Sequence, residues 1–196
     1  MGSEMCIRDR TYLNLVHLNG IDGTDPESLT KGEIEGRKAA LEAIAALKEY
    51  MPGCSAGKLR NFGMTIGIRD TYKIDSVYNL SDEDVKNECR FEDSVGIYPE
   101  FIDGFGVLVL PTTGRYMHIP YRSLLPKNIK GLLVVGRAIG GSNIAHAATR
   151  NMACCTVTGQ GAGVAAAETI KNKTSLNSVN ISNVQKLLSN QNVRVF

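Results

Sequence analysis

Apolar residues recur at Ile34, Leu41, Ile44, Leu47 and Met51, a helical spacing that stops at "MPG" and predicts an amphipathic helix over about residues 30–51. Thr30 and Glu33 stand three apart at its start, the pattern of a capping box. Ahead of it, Tyr12 to Leu18 alternates and then meets the turn cluster "NGIDGTD", which predicts a strand running into a turn. The opening "MGSEMCIRDR" has no periodicity and is expected to be a non-native leader outside the fold, with more chain originally upstream.

Beyond the helix the period shortens. Met64, Ile66 and Ile68 alternate, Ile74 and Val77 follow, and strands are expected to cross this middle region. Further strand candidates are "FEDSVGIYP", "GFGVLVLP" and "RYMHIPY". In "LSDEDVKNEC", Ser81 precedes Asp84 by three with acids crowding the first turn, so a short capped helix is predicted. "NIKGLLVVGRAIGG" holds a continuous apolar run, Leu132 to Val135, the form of a strand buried on both faces of an α/β sheet. A last helix starts at Asn180 or Ser182, ahead of Val184, Leu187 and Leu188.

Between these lies "AHAATRNMACCTVTGQGAGVAAAETIK", where His146 and Arg150 precede a run of small residues. From Met152 to Lys171 that run predicts a helix about 20 residues and 30 Å long. Gly159, Gly163, Ala166 and Ile170 then share a face. Three glycines inside a helix cost on the order of 2 to 3 kcal/mol relative to alanine, so a close neighbour is expected there, either another backbone or a ligand.

Composition narrows the function class. With 22 Lys+Arg against 20 Asp+Glu and 6% aromatics, nothing points to nucleic acid or to a membrane surface, and the expected partner is a small molecule. No stretch approaches the roughly 18 apolar residues of a spanning helix, and a cytoplasmic protein is expected. Cys6, Cys54, Cys89, Cys154 and Cys155 show no C-x-x-C pair or metal spacing and read as free thiols, with no metal site. The sequons at Asn79, Asn172 and Asn180 carry no weight in that setting.

Four stretches in order, "EGRKAALEAIAALKEYMPG", "IGIRDTYKIDSVYNLSDEDV", "IPYRSLLPKNIKGLLVVGRAI" and "AHAATRNMACCTVTGQGAGVAAA", resemble the carboxy-terminal part of FAD-dependent oxidoreductases with the glutathione-reductase type of FAD-binding fold. The resemblance runs from Glu35 to Ala167. It implies an α/β protein, α+β in its cap region: a partial Rossmann-like FAD domain lacking its amino-terminal dinucleotide-binding βαβ unit, plus a β-rich substrate region. Residues 11–120 would form that substrate or cap region, and 121–196 the strand and helices that complete the FAD domain. The missing half is then an implied partner, and a homo-oligomer stays open.

The same resemblance places Gly136 and Arg137 beside the FAD diphosphate and ribityl chain. It aims the helix opening at Asn151 and Met152 toward the flavin N1 edge, and lays the face of Gly159 and Gly163 against the cofactor and its sheet. His146 is implied as a proton carrier and Arg150 as a carboxylate clamp, with Arg69 and Arg122 joining from the cap side. The implied activity is hydride transfer between a small organic substrate and the flavin. Asn143, Ala153, Gly161 and the "TYK" after Arg69 depart from the family pattern. Asn143 and the absence of G-x-G-x-x-G keep a second reading in play, a non-catalytic binding or assembly fragment that retains the fold.

Overall fold

The computed structural model describes residues 5–7, 10–12, 16–104, 107–110 and 114–196. Two compact units divide the chain, Met1–Thr71 and Tyr72–Phe196.

In the first unit, β1 (Met5–Ile7) pairs antiparallel with β2 (Arg10–Tyr12), so residues expected to lie outside the fold form a strand pair. Of the strand predicted from Tyr12 to Leu18, residues 13–15 lie outside the described residues and Val16 to Leu18 are not in a strand. The helix α1 (Pro26–Tyr50) begins four residues earlier than predicted. Asp25 is its N-cap, accepting the amides of Glu27 (3.2 Å) and Ser28 (3.1 Å), and Pro26 supplies the first helical position, where a missing N–H costs nothing. Thr30 therefore sits inside the helix, its hydroxyl donating to the Pro26 carbonyl, and there is no box between Thr30 and Glu33. Glu33 instead accepts the amide of Ile66 at 2.7 Å. That bond and the side chains of Ile21 and Ile66, which close on Gly32, hold the segment around residue 66 against α1. The alternating Met64, Ile66 and Ile68 thus serve helix packing and form no strand.

Among its described residues, the second unit is built on two strand pairs and four helices. β3 (Ser94–Pro99) pairs antiparallel with β6 (Tyr116–Pro120), and β4 (Ile102–Gly104) with β5 (Val107–Val109). All three predicted strand stretches in this region are present. α2 (Asp82–Lys86) carries the predicted cap as a full capping box between Ser81 and Asp84. α3 (Asn143–Thr149), α4 (Met152–Asn172) and α5 (Ile181–Asn190) follow, the last capped by Asn180 as one of the two predicted starts. The core gathers Leu80, Val85, Val95, Met117, Ile119, Leu124, Val184 and Leu188, all at or near complete burial.

Two expectations fail in this unit for the same reason. Leu132 to Val135 is not in a strand, and Leu132 and Val135 are 42% and 40% exposed, so no sheet covers them among the described residues. The face of α4 with Gly159, Gly163 and Ile170 also looks outward: an added Cβ at either glycine meets nothing within 4 Å, and Ile170 is 79% exposed. The packed face is Cys154, Thr158, Gly161, Ala162 and Ala165. There Gly161 approaches Val95 of β3, while Gly96 of β3 approaches Val157 of α4 so closely that a Cβ would lie 2.5 Å from its Cγ1. The helix is thin because strand and helix interlock through a glycine on each side.

Among the described residues no helix is long and apolar enough to cross a membrane. Cys54, Cys89, Cys154 and Cys155 are free thiols, while the side chain of Cys6 lies outside the described residues.

Candidate functional site at the opening of helix α4

Ser142 caps α3 by accepting the Ala145 amide at 3.1 Å, and the helix runs to Thr149 with Arg150 as its C-cap. His146 is therefore not in a turn ahead of a helix, as its position suggested, but within one, and it is buried at 4% exposure. Arg150, with its side chain 13% exposed, reaches β4. Its guanidinium donates to the Asp103 carbonyl and lies 3.6 Å from the Asp103 carboxylate. That pairing ties α3 to β4.

One residue later the chain turns into α4. Asn151 occupies the N-cap without giving its side chain to the helix amides. It turns back, its Nδ2 donating to the Ala148 carbonyl at 2.9 Å, and it hydrogen-bonds the hydroxyl of Tyr98. Burial pushes the Tyr98 hydroxyl up to about 12, so it remains protonated at neutral pH. The first amides of a 21-residue helix are thus left without a side-chain cap, and Met152 beside them is 87% exposed. Uncapped amides at the positive end of a helix dipole favour an electron-rich or anionic group.

A second element reaches the same place. Gly136 opens a short 3-10 turn, Gly136–Ala138, with φ of +72°, a conformation that glycine adopts without steric cost. Its amide donates to Thr158 of α4 at 3.0 Å, and the Sγ of Cys155 would lie 3.8 Å from a Cβ placed on it. Arg137, exposed on that turn, acts electrostatically on Cys155 one turn into α4. It partly offsets the burial that raises the Cys155 thiol, so the thiol stays protonated. The structure therefore sets the Gly136–Arg137 turn against Thr158 and Cys155 in the first two turns of α4, the helix that Asn151 and Met152 open, and leaves Gly159 and Gly163 on the open side of the same helix.

The remaining candidates lie elsewhere. Arg122 is stacked over Tyr78 (4.7 Å) and Phe91 (5.5 Å) and paired with Asp93 at 3.8 Å. Tyr78 in turn donates to Asp84, and burial, with Asp84 next, pushes its hydroxyl up to about 12. Arg69 is exposed in the other unit. Two residues important to the mouth were not picked out from sequence. Thr158 is a polar residue on the packed face of α4, which the glycine spacing hid. Asp103 meets Arg150 across 47 residues, a distance no local pattern signals.

The family model described as FAD dependent oxidoreductase matches residues 5–188. No curated protein and no solved structure matches the chain. FAD is the cofactor of that family, and the donor set at the mouth of α4 fits it: unfilled backbone amides, a cationic Arg137 and a positive-φ glycine that keeps the turn free of a side chain.

Proposed function

The chain belongs to the FAD dependent oxidoreductase family, and we propose that it works in hydride transfer between a small organic substrate and FAD, within a glutathione-reductase type of flavin fold. FAD, when bound, supplies the site that takes up or releases the hydride. Gly136 and Arg137 would hold its phosphate-bearing part, and the opening amides of α4 at Asn151 and Met152 would face the flavin edge that gains electron density. The observation that carries this reading is the meeting of the Gly136–Arg137 turn with the uncapped start of α4.

In this reading the open side of α4, with Gly159 and Gly163, receives a further part of the flavin fold, the amino-terminal half that bears the pyrophosphate turn. Two support this: the bare glycines and the exposed Leu132 and Val135. The functional division near residue 120 then separates a substrate region from the flavin-closing segment. Four unpaired cysteines among the described residues are in keeping with the cytoplasm as its place of action.

Proton transfer by His146 and an anion clamp of Arg150, Arg122 and Arg69 form the finer part of the proposal. Against that part stand the burial of His146 and the engagement of Arg150 with Asp103, which favour the second reading, a non-catalytic assembly piece. Anaerobic mixing of the FAD-loaded enzyme with a panel of small hydroxy, amino and unsaturated acids separates the two. Bleaching of the flavin absorbance by any of them is expected for the oxidoreductase. A flavin that binds and is bleached by dithionite but by no organic substrate favours the assembly piece.

A further inference from the structure

Thr158 is wholly buried in the second turn of α4, and its hydroxyl is used twice. It donates its one proton to the Cys155 carbonyl at 2.9 Å and accepts the Gly136 amide at 3.0 Å. The two bonds are compatible, since a hydroxyl offers one donor and two lone pairs. What they join is the turn bearing Arg137 and the first turns of α4. The segment that feeds this turn, Leu132 to Val135, is in no strand and is half exposed at Leu132 and Val135, so it gives the turn no sheet to rest on.

From this, and resting on the reading of the α4 opening as the flavin-facing mouth, we infer that Thr158 is a positioning residue for FAD: it bolts the Gly136–Arg137 turn to α4 so that Arg137 and the uncapped amides face the cofactor together. It touches no cofactor itself and acts through Gly136. The chemistry explains the residue type. Valine has the same shape but takes the acceptor from the half-buried Gly136 amide, whereas serine keeps it.

The test compares the FAD-loaded enzyme with its Thr158→Val and Thr158→Ser variants by FAD titration and by hydrogen exchange of the Gly136 amide. In Thr158→Val, Gly136 is expected to exchange about tenfold faster or more, with FAD affinity lowered about tenfold, while Thr158→Ser holds both close to the parent. A general loosening would speed exchange along the whole of α4, so acceleration confined to residues 135–139 marks the bolt. Faster exchange throughout α4 that serine does not rescue overturns the inference, as does a Thr158→Val enzyme that binds FAD like the parent. A parent enzyme that takes up no FAD even when complete with the amino-terminal half overturns the mouth reading and this inference together, whereas a parent that binds FAD no more tightly than Thr158→Val overturns Thr158 alone.

Discussion

Gly161 of α4 lies over Val95 of β3 so closely that a Cβ on the glycine would sit 2.7 Å from the valine Cβ. Two bays along, Gly159 and Gly163 have no neighbour at all within 4 Å of that position. Three glycines in one helix therefore answer to two different demands.

Gly161→Ala forces β3 and α4 apart and is expected to destabilise the chain by about 1 to 3 kcal/mol through overpacking. Gly159→Ala and Gly163→Ala are expected to stabilise it by about 0.5 to 1 kcal/mol each, because alanine restricts the unfolded chain and meets no clash. Chemical denaturation of the three variants reads this directly, and equal signs for all three would mean the packed face is assigned wrongly.

His118 gives the chain an acid sensitivity. Its Nδ1 accepts the Phe91 amide at 3.1 Å, and burial holds its pKa below the usual 6.5, opposed by the Phe91 backbone and assisted by the Arg90 guanidinium. Just below pH 6.5 the unfolded chain binds a proton that the folded chain refuses, so stability falls as pH drops and levels only when the folded imidazole protonates. The Tm is expected to decline from pH 7.5 to 5.5, and His118→Asn, which keeps an acceptor but does not titrate, should flatten that decline. An unchanged slope in the variant would assign the acid sensitivity to other groups.

Arg150 holds Asp103 through both its carbonyl and its carboxylate. Removing the guanidinium breaks both contacts, whereas Asp103→Ala leaves the carbonyl in place. Arg150→Ala is therefore expected to cost about 1 to 3 kcal/mol and Asp103→Ala less, with the double variant no worse than the arginine variant alone. Additive losses in that cycle would mean the two side chains act independently.

For His146 the proton-carrier role predicts a specific kinetic loss. Stopped-flow reduction of His146→Ala at saturating substrate is expected to be about 100-fold slower or more, with the flavin spectrum unchanged. The parent rate with a lowered Tm would return His146 to packing inside α3.

Local signals were legible where local chemistry decides. The Ser81–Asp84 box, the Asn180 cap, the strands beginning at Ser94 and Tyr116 and the extent of α4 all follow from residues near in sequence. The start of α1 was missed: Thr30 and Glu33 offered a cap, whereas Asp25 caps the helix and Pro26 opens it. What period alone does not reveal is which side of a helix is covered. In α4 small residues stand on both sides, so glycine spacing pointed to the open face while the interlock with Val95 and Gly96 sits opposite. The same ambiguity made the apolar Leu132 to Val135 read as a doubly buried strand, although Leu132 and Val135 are 42% and 40% exposed. At the site, the mouth of α4 was found from its order of parts, whereas Thr158 and Asp103 emerge only once the chain is folded.

The most direct test of the central claim is the flavin midpoint potential of Met152→Glu in the FAD-loaded enzyme. Met152 is 87% exposed at the start of α4, so a carboxylate there disturbs no packing and, in the first turn of a helix, leaves the chain's own stability equal or slightly higher. If the mouth faces the flavin, that charge opposes the electron density gained on reduction, and the potential is expected to fall by on the order of 30 mV or more. A Met152→Glu enzyme with the parent's potential would contradict the placement of FAD at this mouth.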